Sequence, residues 1–232
     1  MLHDDLVLAN RILANEGVLD AFGHVSVRDP ENAQRFAISR SRAPDLVEKS
    51  DLQILDASGA RVGGSDGPSY SEVAIHAAIY RHRPDVHAVV HSHSPSVIPF
   101  GATGIPLRPI FHAASAMGSV APVFDIAERF GDTDMLVRTA QQGDALAAVL
   151  GAGTVALMRG HGCVVAKGDL RSAVFVAVYL ERNATLVLQA RQLGEVRYLS
   201  AGEAERAGEM ILSPMSRDRA WELWTRRLNR PG

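Results

Sequence analysis

The segment that most restricts the fold runs from Val86 to His93, where mainly apolar, β-branched residues lead to two histidines separated by one serine. This composition is typical of a buried β-strand. Side chains on a strand alternate between its two faces, so His91 and His93 are predicted to point the same way at the end of the strand. Two imidazoles on one face can bind one metal ion, although two solvated histidines would produce the same pattern.

Two further residues strengthen the prediction of a metal site. His161 follows a second apolar run, at 155–158, and three histidines with one open position are the arrangement of a catalytic metal centre. Glu72 lies where a glycine-rich loop, 63–68, gives way to a predicted helix. A carboxylate in the first turn of a helix is also favoured by the helix dipole alone, so Glu72 carries weight only together with the histidines.

Composition narrows the class of protein. The 232 residues are 47% hydrophobic and 22% charged, which is typical of a globular protein, and we expect one domain over residues 1–232. A formal charge of −2 without a basic tract argues against a nucleic-acid partner. No apolar run approaches the length that spans a bilayer, and the N-terminal residues do not resemble a signal peptide, so we expect no membrane partner and a cytoplasmic location. The single cysteine, Cys163, excludes a disulfide framework and a thiolate metal cluster.

The hydrophobic pattern predicts a mixture of hairpin-like strands and helices. Such a mixture favours an α/β fold with a central, mostly antiparallel sheet and helices on its faces. A proline-rich segment, 94–122, is predicted to be irregular and to contribute to binding. The predicted strands are 25–28, 35–39, 52–55, 60–62, 86–91, 155–158 and 164–166, and the predicted helices are 6–17, 71–82, 134–150, 169–192 and a charged C-terminal segment broken at Ser213 and Pro214.

Four motifs, in this order and spacing, resemble the class II aldolase/adducin family. They are Gly-His-Val-Ser-Val-Arg at 23–28, Pro-Ser-Tyr-Ser-Glu at 68–72, His-Ser-His at 91–93 and Arg-Gly-His-Gly at 159–162. The resemblance covers about residues 4 to 195 and implies a class II aldolase-like three-layer α/β/α fold. It also implies a homotetramer with active sites at subunit interfaces. By the same resemblance, His91, His93 and His161 hold a divalent metal ion and Glu72 is the catalytic acid/base.

The departures from the sugar-phosphate members of this family point to its decarboxylase branch. Small residues surround the phosphate in those enzymes, because backbone N–H groups must approach it closely. Here His24, Arg40, Arg42 and Tyr70 occupy the corresponding positions. Arginine and histidine suit a planar carboxylate instead. We therefore predict that these four residues, with Ser71, bind the substrate.

The expected activity is metal-dependent decarboxylation of a hydroxy-aromatic dicarboxylate. The resemblance makes 3-hydroxy-2-methylpyridine-4,5-dicarboxylate, a compound of vitamin B6 degradation, the expected small-molecule substrate, with one Mn²⁺ per subunit and Zn²⁺ as the next choice. Loss of carbon dioxide and loss of an aldehyde both leave an electron pair that a metal ion stabilises. A sugar-phosphate aldolase or epimerase and a non-haem iron oxygenase therefore stay as alternatives. A non-enzymatic module like adducin is disfavoured because all four residues of the site are present.

Overall fold

A computed structural model describes residues 2–228, and its strands form one eight-stranded sheet within that range. The order across the sheet is β4-β3-β2-β1-β5-β8-β7-β6, and every neighbouring pair is antiparallel except β6 and β7. This confirms the predicted mostly antiparallel sheet. The strands are β1 (His24–Arg28), β2 (Arg35–Ser39), β3 (Leu52–Asp56), β4 (Arg61–Gly64), β5 (Ala88–Ser92), β6 (Val123–Phe124), β7 (Val155–Met158) and β8 (Gly162–Lys167).

Helices cover both faces of the sheet, so the predicted three-layer α/β/α fold is confirmed. One face packs against α1, α6 and α8, and the opposite face packs against α2 and α5. The helices are α1 (Leu2–Asn15), α2 (Val73–His82), α3 (Ile98–Thr103), α4 (Ala127–Phe130), α5 (Ala140–Leu150), α6 (Leu170–Leu193), α7 (Ala201–Ile211) and α8 (Pro214–Leu228). No helix in this described range is long and apolar enough to cross a membrane.

The central strand β5 is buried on both sides, which explains its continuous apolar sequence. Ala88 and Val90 face the core shared with α6, whereas Val89 faces the core shared with α2. Fully burying a valine contributes about 1.5–3 kcal/mol, so the register of this strand is strongly fixed. His91 follows this alternation and therefore lies on the α2 side of the sheet.

Several element boundaries differ from the sequence prediction. The helix predicted from 134 begins at Ala140, because Thr139 forms a capping box with Gln142 and the residues before it are a loop. Hydrophobic periodicity did not reveal the short elements β6, α3 and α4, which are too short to show a period. The predicted break is confirmed, since α7 ends at Ile211 and α8 begins at Pro214. Trp224 packs within the chain, with its ring centroid 6.1 Å from that of Phe175.

Candidate metal centre and active-site cavity

The end of β5 delivers His91 and His93 to the same side of the sheet, as the strand period predicts. His91 is fully buried, and its Nδ1 lies 3.1 Å from the carbonyl oxygen of Cys163 on the neighbouring strand β8. A carbonyl only accepts, so Nδ1 of His91 carries a hydrogen and Nε2 is the ring atom left to bind a cation. Among the described residues this buried Nε2 has no hydrogen-bond partner.

His161 occupies the turn between β7 and β8 and faces the same point. Its Nδ1 donates to the carbonyl oxygen of Met135, at 2.9 Å, and its Nε2 lies 3.1 Å from Nε2 of His93. The following residue is glycine for a steric reason: a Cβ on Gly162 would lie 2.1 Å from the carbonyl oxygen of Ser92. Only glycine lets β8 pass close enough to β5 for the three imidazoles to meet.

Glu72 completes the cluster from the position just before α2, where it is the N-cap rather than part of the first turn. Its side chain is only 5% exposed. Oε1 accepts a hydrogen bond of 2.9 Å from the N–H of Val137, and Oε2 lies 3.5 Å from Nε2 of His161 and 3.6 Å from Nε2 of His91. Burial alone raises the pKa of the Glu72 carboxyl, but His161 and His91 outweigh it and hold this pKa well below its usual range.

The four side chains have the chemistry of a divalent metal site. One ligand atom from each of Glu72, His91, His93 and His161 lies within 4.8 Å of the others. Burial and the neighbouring His91 and His161 lower the pKa of His93 to about 4, so its imidazole is neutral near pH 7. Three imidazole nitrogens that converge beside a carboxylate are the donor set of a catalytic metal site. The residues therefore fit a bound divalent cation, which would also satisfy Nε2 of His91.

The cluster opens onto a cavity of about 660 Å³, large enough for a small aromatic ligand. Four of the predicted substrate-binding residues line it, whereas Arg40 is not among the lining residues of the described chain. The cavity is lined by Ala21, Phe22, Gly23, His24, Ser41, Arg42, Ala43, Tyr70, Ser71, Glu72, His93 and Leu136.

Comparison with known proteins assigns the family. The sequence model of the "Class II Aldolase and Adducin N-terminal domain" matches residues 4–188. The chain belongs to the class II aldolase/adducin family. A class II aldolase superfamily protein from Pseudomonas syringae has the same fold, with a TM-score of 0.81 at 23% identity over 99% of this chain and 92% of that chain.

Two relatives place the chain in the decarboxylase branch of the class II aldolase/adducin family. "Decarboxylase tropJ" of Talaromyces stipitatus is 34% identical over 95% of this chain and 91% of that protein. A "3,4-dihydroxyphthalate decarboxylase" of Arthrobacter keyseri is 32% identical over 82% of this chain and 78% of that protein. The branch agrees with the prediction from His24 and Tyr70, whereas the pyridine dicarboxylate stays a prediction.

In this member of the class II aldolase/adducin family, Arg40 and Tyr70, which were predicted to bind the substrate, make polar contacts with other residues of the protein. Nε of Arg40 lies 2.6 Å from Oδ1 of Asp51, and Nη1 of Arg42 lies 2.7 Å from Oδ2 of the same carboxylate. The hydroxyl of Tyr70 donates to the carbonyl oxygen of Arg42, at 2.7 Å, and is also hydrogen-bonded to Ser39. Tyr70 therefore lines the cavity with its ring and holds the loop that carries Arg42.

Sequence reasoning missed a second polar layer between β1 and α2. His24 and Ser26 alternate on one face of β1, and Glu72, His76 and Tyr80 repeat every four residues along α2. Nε2 of His76 lies 2.6 Å from Nδ1 of His24, and Nδ1 of His76 lies 2.6 Å from Oγ of Ser26. Oγ of Ser26 lies 2.8 Å from the hydroxyl of Tyr80. The period of two on the strand and of four on the helix was the available signal.

Arg28 continues the same face of β1 but has a structural role. Within the described chain its guanidinium donates to four backbone carbonyls, at 2.6 to 2.9 Å. These are the carbonyls of Ala33, Tyr80, Arg83 and Val86. Two of them belong to the C-terminal end of α2, where a cation is favoured by the helix dipole. Arg28 thus fixes the helix that positions Glu72.

Phe22 and Leu136 are apolar cavity residues that the sequence did not reveal. Phe22 is 64% exposed, and its ring centroid lies 6.2 Å from that of His93. Its ring offers an apolar contact to a ligand in the cavity. Leu136 lies between Met135 and Val137, whose backbone atoms contact the metal cluster.

Proposed function

We propose that this protein is a metal-dependent decarboxylase of hydroxy-aromatic carboxylic acids. The observation that carries the proposal is the cluster of Glu72 with three imidazoles at the edge of a cavity that is also lined by Arg42 and His24, two side chains that suit a carboxylate. The two relatives named as decarboxylases support the reaction type. Replacement of the small phosphate-binding residues by His24 and Tyr70 disfavours a sugar phosphate as the substrate.

In this proposal His91, His93 and His161 hold one divalent cation per subunit. We expect Mn²⁺, with Zn²⁺ as the second choice, since imidazole and carboxylate ligands accept both and relative affinity alone does not decide occupancy. When bound, such an ion withdraws electron density from substrate oxygens and stabilises the electron pair that carbon dioxide leaves behind. Elemental analysis of the purified protein tests this assignment, with a ratio of one metal ion per chain as the expected result.

The cavity residues orient the substrate. Arg42 and His24 are the basic side chains of the lining besides His93, and we assign to them the carboxylate that is retained in the product. Phe22 and Leu136 provide apolar contact for the ring, and Ser71 provides a hydroxyl. Arg40 supports Arg42 through their shared partner Asp51. This set suits a dicarboxylate, of which 3-hydroxy-2-methylpyridine-4,5-dicarboxylate is the specific substrate we expect.

Glu72 moves the proton in this scheme. Because its pKa is held low, Glu72 is an ionised carboxylate at rest and accepts the proton of the ring hydroxyl when the substrate binds. The bond between the ring and the departing carboxylate then breaks, carbon dioxide leaves, and the ring keeps the electron pair. Glu72 returns the proton to that ring carbon, so no other reactant is consumed and the carboxylate is regenerated.

We further propose the assembly that the family resemblance implies, a homotetramer with active sites at subunit interfaces. The ring of Phe22 is exposed at the rim of the cavity and is accessible to a neighbouring subunit. Light scattering on the purified protein tests the assembly, and a monomer of 24.9 kDa would contradict it.

The decisive experiment measures carbon dioxide release from a panel of hydroxy-aromatic acids under anaerobic conditions in deuterated water. The panel contains 3,4-dihydroxyphthalate and 3-hydroxy-2-methylpyridine-4,5-dicarboxylate. The metal-loaded protein should release carbon dioxide and incorporate one deuterium at the vacated carbon, whereas His93→Gln should be inactive and His87→Gln, at an exposed position, should be active. A requirement for dioxygen would favour the oxygenase alternative. Cleavage of a sugar phosphate without release of carbon dioxide would overturn the proposal.

A further inference from the structure

The polar layer between β1 and α2 forms one continuous chain of hydrogen bonds that ends at the cavity. It runs from the Tyr80 hydroxyl through Ser26 and His76 to Nδ1 of His24, with successive distances of 2.8, 2.6 and 2.6 Å. All four side chains are less than 5% exposed. His24 lines the cavity, and its Nε2 forms no hydrogen bond with any residue between 2 and 228.

The direction of this chain follows from the number of hydrogens each group carries. Burial raises the pKa of the Tyr80 phenol, so the phenol keeps its hydrogen. Within the described chain, Ser26 is the only acceptor in contact with that hydroxyl. Tyr80 therefore donates to Ser26, and the Ser26 hydroxyl must turn its own hydrogen toward Nδ1 of His76.

The same logic fixes the two imidazoles. Burial lowers the pKa of His76 to about 3, so its ring carries one hydrogen, and Nδ1 already accepts from Ser26. That hydrogen is on Nε2 of His76 and is donated to Nδ1 of His24. The reverse direction would leave the buried Tyr80 hydroxyl without an acceptor, which is strongly unfavourable.

We propose that His76, oriented by Ser26 and Tyr80, is a positioning residue that fixes the tautomer of His24, so that His24 presents an Nε2–H donor to a carboxylate in the cavity. The identity of that ligand rests on the proposed function. His24 then recognises an anionic oxygen and does not act as a base.

Neutron diffraction on the perdeuterated, zinc-loaded protein tests the tautomer directly and needs no turnover. The expected result is deuterium on Nε2 of both His24 and His76, and a Ser26 deuteroxyl that points to His76. Deuterium on Nδ1 of His24 would overturn the proposal, whatever reaction the protein catalyses.

Binding of phthalate, whose two carboxylates leave one free to contact His24, followed by titration calorimetry on the zinc-loaded protein, tests the consequence. His24→Phe keeps a flat ring without the donor and should raise the Kd at least about tenfold, since a hydrogen bond to a charged group is lost. His76→Leu should raise it about three- to tenfold, because His24 loses its orientation. His76→Gln retains an amide that donates to His24 and accepts from Ser26, so its Kd should stay within about twofold of the wild type.

His87→Leu is the matched control, because the side chain of His87 is exposed and takes no part in this chain of hydrogen bonds. A purely structural role of His76 would make the Gln and Leu variants bind equally, and this result would refute the positioning role. Failure of the whole panel of acids to release carbon dioxide, with the tautomer and the Kd pattern as expected, would reject the proposed reaction and leave the positioning role of His76 supported.

Discussion

Replacing Arg28 by methionine should destabilise the protein by about 2–6 kcal/mol. Of the four carbonyls that its guanidinium contacts, those of Val86 and Tyr80 are in buried hydrogen bonds. Each buried acceptor left without a partner costs about 1–3 kcal/mol. The carbonyls of Ala33 and Arg83 are only partly buried and can be hydrated, so they add little. The expected loss is a large share of the roughly 5–15 kcal/mol by which folded domains are stable.

Denaturant unfolding of the metal-loaded protein measures this loss from the midpoint and slope of the transition. Arg28→Lys keeps the charge but cannot reach four carbonyls with one ammonium group, so its stability should lie between those of the wild type and the methionine variant. Arg35→Met, at an exposed position on the adjacent strand, should change the free energy of unfolding by no more than about 0.5 kcal/mol. A loss below about 1 kcal/mol for Arg28→Met would refute the assignment of a structural role.

Three further predictions concern the candidate active site. A divalent metal at one hundred times its Kd should stabilise the wild type by about 2.7 kcal/mol and raise its Tm by roughly 5–10 °C. Scanning calorimetry should show this rise in Tm for His87→Gln but not for His93→Gln. Glu72→Gln should keep the metal yet lower kcat by about 10²- to 10⁴-fold, and kcat above a tenth of the wild-type value would exclude the acid/base role. His76 has a pKa of about 3 in the folded protein, whereas an unfolded histidine has a pKa near 6.5. Between pH 6.5 and pH 3 the unfolded state therefore binds one more proton than the folded state at this residue. The free energy of unfolding of the metal-free protein should fall by about 1.4 kcal/mol for each pH unit lost in that range. In His76→Gln the plot of unfolding free energy against pH should be less steep, because one fewer proton is bound on unfolding. An unchanged slope would contradict the assigned pKa.

The sequence predicted that Glu72, His91, His93 and His161 lie together, and the structure brings their ligand atoms within 4.8 Å of one another. His91 and His93 follow strand alternation, a constraint that acts over a few residues and that a pattern in the sequence therefore reveals. Their role as metal ligands stays a prediction. The fold class followed in the same way from the buried strands and the amphipathic helices around them.

Residues whose roles depend on distant partners were harder to predict. Asp51 lies in a turn and gives no sign in the sequence that it pairs with both Arg40 and Arg42. The prediction of a helix start at 134 was wrong because the backbone of Met135 and Val137 is hydrogen-bonded to the side chains of His161 and Glu72. Met135 also adopts a φ of +69°, which is outside the helical region. Tertiary contacts of this kind override local helical preference.

The loop before α5 has a consequence for how this protein can acquire new substrates. It holds Glu72 and His161 through main-chain atoms of Met135 and Val137, so these contacts do not depend on the identity of the side chains in the loop. The side chain between them, Leu136, faces the cavity. Position 136 can therefore change in size or polarity while Glu72 and His161 stay in place. Selection can act on ligand choice at this position almost independently of reactivity, and a library of substitutions there is the natural starting point for redesign.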